Sequence, residues 1–308
     1  MTDNLTKLCE LVNEYNKTHT DSIQIEYNEP MSRHTTFRIG GIADLYITPL
    51  NIQSLTDLCG MIKETGVRNY FLGNGSNVLF DDEGYRGAVV SLCALRGVKC
   101  EDNIVFAEAG HSFTALSKVA RDNSLTGLEF ANGIPGTVGG AVYMNAGAYN
   151  GEVAFVLRES TYLDLDDLTV HTITLDEHNF GYRDSIYKHT NRIILSAKFE
   201  LKPGNSDEIT EMMNDFMNRR VTKQPLEYPS AGSVFKRYPG RFTAQMIDEA
   251  GLKGYTVGGA QVSEKHAGFI INIGDATAKD VKDLISHIQK AILEKFGCAI
   301  EREVIYVE

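Results

Sequence analysis

Signals that would place this chain in several large protein classes are missing. Its five cysteines (Cys9, Cys59, Cys93, Cys100 and Cys298) are odd in number, scattered and without a Cys-x-x-Cys pair. Neither a disulfide framework nor a zinc site is signalled, and reduced structural thiols are expected. The eight histidines lack His-x-x-x-His spacing, so no protein-ligated metal is expected. Positive charge is in deficit: a net charge of −11 argues against non-specific binding to nucleic acid or an anionic membrane. It leaves room for a local basic pocket that takes a phosphorylated ligand. The longest apolar runs, such as Phe269 to Ile273, are too short to span a bilayer. No basic N-terminal region precedes an apolar core, so export is not expected and a cytoplasmic location is. Repeats and low-complexity tracts are absent, and nothing signals an obligate protein partner.

What is present is the composition of an ordinary globular protein, 308 residues long, enough for two or three domains. One stretch stands apart. Seven of the twenty-five residues from Gly127 to Gly151 are glycine, and almost none is charged. Leu128, Phe130, Ile134, Val138, Val142 and Met144 are interleaved with the glycines, unlike a polar flexible linker, so the segment is expected to be buried and irregular. Buried irregular backbone needs partners for its N–H and C=O groups. A large polar ligand against the chain would supply them, and glycine lets backbone approach a ligand closely. A tight packing corner explains the stretch equally well.

A second glycine loop lies upstream. Asn69 to Leu72 reads as a short strand running into Gly73-Asn74-Gly75-Ser76-Asn77 and on to a second apolar run, Val78 to Phe80. Consecutive backbone N–H groups and small side-chain donors suit a pyrophosphate. An ordinary hairpin turn is the bland alternative. Neither the Walker lysine nor the three spaced Rossmann glycines are found, so the common nucleotide motifs do not apply.

Apolar spacing predicts helices over residues 4–15, from Ile52 to Gly66, over about 112–123, over 207–220 with Ile209, Met212, Met213 and Phe216 inward, and from Thr277 to Gly297. Strands are expected over 43–48, 88–93, 104–109 and 192–201 and at the C-terminal 303–307. A hairpin is expected over 158–165 and 168–175 with Asp166 and Asp167 at its turn, and two strands within 254–272. The segment from Lys223 to Lys236 reads as loop. Pro203-Gly204-Asn205 marks a domain boundary.

Six stretches, in order, resemble the UDP-N-acetylenolpyruvoylglucosamine reductases, flavoenzymes of peptidoglycan precursor synthesis. They are NEPMSRHTTFRIGG (28–41), LGNGSNVLF (72–80), residues 127–152, GYRDSIYK (181–188), SAGSVFKR (230–237) and residues 251–272. The resemblance covers nearly the whole chain. It implies an α+β fold, with a two-part FAD-binding region of the vanillyl-alcohol-oxidase type followed by a smaller α+β substrate domain. The implied segments are 1–91, joined by the terminal strand 300–308, then 92–202 and 203–299. FAD and NADPH are the implied cofactors, and a UDP-sugar enolpyruvyl ether is the implied substrate. The implied FAD-binding positions are Gly73, Asn74, Gly75, Ser76 and Asn77 together with Gly133, Ile134, Pro135, Gly136, Gly140, Ala141, Asn145 and Gly147.

Three catalytic positions follow from the same resemblance: Arg183, Ser233 and Glu303. Reduction of an enolpyruvyl ether leaves negative charge beside its carboxylate, which a guanidinium can bind bidentately. Ser233, with Lys236 nearby in sequence, would deliver the proton, and Glu303 would orient or stabilise the same intermediate. Lys223 and Arg237 are implied diphosphate contacts and Tyr182 an enolpyruvyl contact. His266 stands where some relatives carry glutamine. The terminal motif departs from the family's Pro-Glu-Val-Arg, reading Arg302-Glu303-Val304-Ile305. The short connection between Arg192 and Pro203 lacks the tyrosine-bearing loop of one family branch and points to the shorter, second type, with Tyr149 as a stand-in for that tyrosine. Three competing readings remain. Ser233-Val234-Phe235-Lys236 matches the Ser-x-x-Lys of penicillin-recognising acyl-transfer enzymes, but no Ser-Asp-Asn or Lys-Thr-Gly accompanies it. A nucleotide-binding module without turnover, or an FAD-dependent oxidase of the same fold, would also use the glycine loops.

Overall fold

Helices end where the capping residues stand. Asn51 and Ser54 form a reciprocal capping box at the start of the helix Ile52–Thr65, and Gly66 closes it in the left-handed region at φ 64°. The helix Ala278–Phe296 repeats the device with Thr277, Asp280 and Gly297, and its Val281, Leu284, Ile285, Ile288 and Ile292 are buried. The first helix, Asp3–Thr18, buries Leu5, Leu8, Cys9 and Val12. The structure, a computed structural model, describes residues 2–20 and 22–308.

The chain divides into two units. The first comprises Met1–Tyr27, Asp44–Asn74 and Gly87–Asn218, and holds two cores. In one, Leu8 and Val12 of the first helix and Leu55, Leu58 and Ile62 of the second join Leu45, Ile47, Ala88 and Val90. Asn69–Leu72 runs parallel to Tyr85–Ser91 beneath these helices, Asn69 opposite Ala88. The other core belongs to a five-stranded antiparallel sheet in the order Val170–Thr174, Leu157–Asp164, Arg192–Glu200, Ile104–Glu108, Val98–Glu101. The helices Phe113–Asp122 and Val138–Tyr143 contribute Phe113, Leu116, Val138 and Val142 to it. The hairpin expected around Asp166 and Asp167 forms, and Asp167 Oδ1 accepts from the Thr169 amide at 2.9 Å.

The second unit comprises Asn28–Ala43, Gly75–Arg86 and Arg219–Glu308. Its antiparallel sheet runs Ser230–Ser233, Phe269–Asn272, Ala260–Val262, Thr256–Val257. Its core joins Val262 and Ile270 of that sheet to Ile247, Leu284 and Ile288 of the helices Thr243–Glu249 and Ala278–Phe296. A separate parallel pair sets Ile305–Val307 beside Val78–Phe80, in the register Ile305 to Val78.

Several expectations are corrected. Asn69–Leu72 and Val78–Phe80 lie in different sheets, so the Gly73 to Asn77 turn is not a hairpin. The stretch 127–151 is mostly buried but not wholly irregular, since it contains the helix Val138–Tyr143, begun by Thr137 accepting from the Gly140 amide. Met212 is 44% exposed, flanking a stripe in which Ile209 and Met213 are buried. The segment read as loop carries the strand Ser230–Ser233, the run 254–272 holds three strands, and the last strand begins at Ile305 rather than Glu303. All five cysteines are free, and burial pushes the Cys59 thiol up to about 12. Among the described residues no helix is long and apolar enough to cross a membrane.

Candidate active site

In the first unit the two glycine stretches meet. A side chain at Gly73 would put its Cβ 2.6 Å from Thr137 Oγ1, and Asn74 Nδ2 donates to the Pro135 carbonyl. Thr114 Oγ1 donates to the Ile134 carbonyl at 2.9 Å and accepts from the Gly133 amide at 3.1 Å, while Gly133 takes φ 81°. A Cβ on Gly139 would meet that of Ala109 at 2.9 Å. These bonds give the irregular backbone its partners and hold Asn74, Ile134, Pro135 and Gly136 around one cavity of about 430 Å³.

Arg96 and His111, which no sequence motif marks, complete its wall. His111 Nδ1 lies 3.0 Å from the Arg96 carbonyl, an acceptor only, so that nitrogen carries the proton. Nε2 is then an acceptor, buried and without a protein partner, which is the mark of a polar ligand's place. A guanidinium and closely approaching backbone suit a large anionic group, and the bare imidazole acceptor suits a hydroxyl or amine donor on the same ligand; FAD carries both. Ala141 is buried, while Gly140 is exposed.

The far end of the glycine stretch holds Arg183. Gly181 and Asp184 exchange backbone bonds of 3.1 and 3.2 Å, making a tight turn. Asn145 Nδ2 donates to the Gly181 carbonyl at 3.0 Å, and Ser185 Oγ to that of Tyr143 at 2.8 Å. Arg183 sits at φ 56°, its guanidinium donating to the Gly147 carbonyl at 3.3 Å and lying 5.2 Å from the Tyr182 ring centroid. Tyr182 is 47% exposed. The Tyr149 hydroxyl donates to the Phe216 carbonyl at 3.1 Å, and its ring stacks on Phe216 at 4.4 Å.

In the second unit the structure brings Asn77, Glu303 and the Ser233 strand together. Gly75, at φ 61°, leaves no space for a side chain because its Cβ would stand 2.1 Å from the His34 carbonyl oxygen. Thr36 donates its amide to Gly75 and its hydroxyl, at 2.7 Å, to the Ser230 carbonyl. Ser76 follows, half-buried. The Asn77 side chain donates to the Glu303 carbonyl at 3.3 Å. The Glu303 amide donates to the Val234 carbonyl at 2.6 Å, and that of Lys236 to Glu301 at 2.9 Å, so 234–236 pairs with 301–303. Ser233 is exposed at the end of its strand, paired with Phe269.

Around this ladder, His266 Nδ1 accepts from the Gly268 amide at 3.1 Å, and burial holds its pKa below the ordinary histidine value. Lys223 is exposed at the end of the helix Ser206–Lys223, and the Arg237 guanidinium lies 5.6 Å from the Phe242 ring centroid. Lys236 pairs with Glu301 at 2.9 Å. Because Ser233 and Lys236 stand on strand and extended backbone rather than one turn apart on a helix, the Ser-x-x-Lys acyl-transfer arrangement is not formed.

Residues 43–172 match a family model described as an FAD binding domain, and the α+β architecture agrees with it: this is a flavin-binding protein. Residues 224–307 match the C-terminal domain of UDP-N-acetylenolpyruvoylglucosamine reductase. UDP-N-acetylenolpyruvoylglucosamine reductase 2 of Bacillus anthracis is 45% identical over 293 residues, 95% of this chain and 96% of the relative. The reductase of Clostridium beijerinckii is 44% identical over 295 residues, 96% of each. The crystal structure of the Thermus caldophilus enzyme superposes with a TM-score of 0.79 at 33% identity, covering 93% of this chain and all of that one. The chain belongs to the UDP-N-acetylenolpyruvoylglucosamine reductases, FAD-dependent oxidoreductases that act on a UDP-sugar. The expected α+β fold, an FAD-binding region followed by a smaller α+β domain, is thereby borne out.

Proposed function

We propose that the chain reduces UDP-N-acetylglucosamine enolpyruvate to UDP-N-acetylmuramate and divides the work among its residues as follows. FAD, when bound, would supply the two-electron chemistry of an NADPH-dependent reduction of the enolpyruvyl double bond. Gly73 to Asn77, Gly133 to Gly136, Gly140, Ala141, Asn145 and Gly147 hold it, with Arg96 and His111 added by the cavity they line. Arg183 binds the carboxylate on which charge grows, its fork matched to two oxygens. Ser233 Oγ gives its proton to the carbon next to that carboxylate, and Glu303 orients the same group. Tyr182 packs against the enolpyruvyl group, Lys223 and Arg237 take the diphosphate, and His266, kept neutral by burial, donates a hydrogen bond to the sugar nucleotide.

The observation that carries this reading is the backbone ladder that sets Glu303 opposite Val234, next to Ser233. The functional division is 1–91 with 300–308, 92–202 and 203–299, and the pairing of the terminal strand with Val78–Phe80 supports the joining of 300–308 to the first segment. The direct run from the strand Arg192–Glu200 into Lys202–Pro203 supports the second family type. The setting is the cytoplasm, where NADPH and UDP-sugars are available. The test begins with colour. The purified protein should be yellow, release FAD on acid precipitation, and bleach with NADPH without oxygen. Adding the enolpyruvyl substrate should restore the colour far faster than air does. A colourless chain that takes up no FAD sinks the reading, and faster recovery with oxygen would make it an oxidase.

A further inference from the structure

Two short turns flank the hairpin that carries Arg183, Leu175–His178 before it and Ile186–Lys188 after it. Both are fastened to one buried hydroxyl. Ser160 Oγ, on the strand Leu157–Asp164, lies 2.6 Å from His178 Nε2 and 2.6 Å from the Tyr187 hydroxyl. His178 Nδ1 lies 2.8 Å from the Thr174 carbonyl. A carbonyl only accepts, so Nδ1 carries the proton and Nε2 is an acceptor. Ser160 therefore donates to Nε2, and its oxygen accepts from Tyr187. The bonds run one way, Tyr187 to Ser160 to His178 to Thr174, and use the donors of all three side chains.

None of the three is within reach of a ligand, since His178, Ser160 and Tyr187 are 0, 1 and 2% exposed. Burial favours the neutral forms this chain of bonds requires, lowering the His178 pKa and raising that of Tyr187 to about 12. The hairpin between them needs holding. Arg183 is in the left-handed region at φ 56°, which an L residue leaves unless its surroundings fix it. Lys188 Nζ adds a bond to the Arg183 carbonyl at 2.6 Å, so the turn after the hairpin also grips the arginine's own backbone.

We propose that Ser160, through His178 and Tyr187, is a positioning residue for the half of the reaction in which the flavin is reoxidised by the enolpyruvyl substrate: it fixes both ends of the hairpin and so fixes where the Arg183 guanidinium stands. This rests on the reading of Arg183 as the group that binds the substrate carboxylate. The test uses the FAD-loaded full chain and follows both half-reactions by anaerobic rapid mixing. Ser160→Ala, Tyr187→Phe, Arg183→Lys and the double variant Ser160→Ala/Arg183→Lys are compared with the parent.

In Ser160→Ala, flavin reduction by NADPH should keep its rate, while reoxidation by UDP-N-acetylglucosamine enolpyruvate slows by about tenfold, the scale of a small misplacement. Tyr187→Phe should slow it less. In the double variant, Ser160→Ala should slow Arg183→Lys no further, because the guanidinium fork whose placement it fixes is already gone. A purely structural role would lower FAD content or both rates and would multiply onto Arg183→Lys, and either result overturns the proposal, as does normal reoxidation in Ser160→Ala. Should Ser160→Ala fail to fold, Tyr187→Phe, which keeps the ring, decides by the same criteria. If Arg183→Lys itself reoxidises normally, the role of Arg183 falls instead, and a slow Ser160→Ala beside it would show that Ser160 does not act through Arg183.

Discussion

The amide of Glu303 donates to the carbonyl of Val234 at 2.6 Å, setting Glu303 beside the strand end that carries Ser233. The same terminal segment is tied to the glycine loop, because Asn77 bonds the Glu303 carbonyl with its side chain and the Ile305 amide with its own carbonyl at 3.0 Å. Asn77 and Ile305 are thus held by a backbone bond, which tolerates change in neighbouring side chains. That tolerance accounts for the altered terminal motif. Arg302, which stands at the proline position of the Pro-Glu-Val-Arg motif, lies over the Tyr306 ring at 4.0 Å and bonds the Val304 carbonyl at 2.7 Å.

Glu303→Gln should therefore leave the fold and flavin content alone, since the ladder uses only backbone at this position. Flavin reduction by NADPH should be unchanged. Reoxidation by the enolpyruvyl substrate should slow by roughly ten- to a hundredfold, the loss of a charge that orients the intermediate. Unchanged reoxidation removes Glu303 from the mechanism.

Arg183→Lys keeps the charge and loses the planar fork. A carboxylate that gains charge in the transition state is then held less well, so kcat should fall more than ground-state substrate binding weakens. Equal losses, measured by titration of the oxidised enzyme and by turnover, would make Arg183 a plain binding residue.

Gly75 and Gly66 give a paired test of close approach. Both are left-handed, at φ 61° and 64°, but a Cβ on Gly75 would collide with the His34 carbonyl whereas one on Gly66 meets nothing within 4 Å. Gly66→Ala should cost about 1–2 kcal/mol from backbone strain alone. Gly75→Ala should cost clearly more in thermal unfolding and should also lower FAD content. Equal costs with full FAD would mean that the loop relaxes and that the approach to residue 34 is unimportant.

The helices were legible because their signals are local: Asn51 and Ser54, Thr277 and Asp280, Gly66 and Gly297 stand at the ends they determine. The strand Ile23–Pro30 was not, because only Ile23 and Glu29 are buried along it and no apolar alternation marks it. The pairing of Gly73 and Asn74 with Thr137 and Pro135 was foreshadowed by glycine content, yet Arg96 and His111 were not. Their role arises from residues 15 apart meeting through one bond from an imidazole to a backbone carbonyl, and an isolated arginine or histidine announces nothing in sequence. The Ser160 network was equally silent, since its three side chains come from three separate elements.

Ser233→Ala separates the two halves of the reaction most sharply. Flavin reduction by NADPH requires no proton on substrate carbon, so it should run at its normal rate. Reoxidation should slow by roughly two to four decades, the range for losing a positioned general acid. Ser233 is exposed at a strand end and its backbone, not its hydroxyl, makes the ladder to Phe269, so stability and FAD content should hold. A solvent isotope effect on reoxidation should be present in the parent and altered in the variant, because the proton then arrives by another route. Normal reoxidation in Ser233→Ala, or slowing confined to flavin reduction, would show that the proton comes from elsewhere and that the strand Ser230–Ser233 serves binding alone.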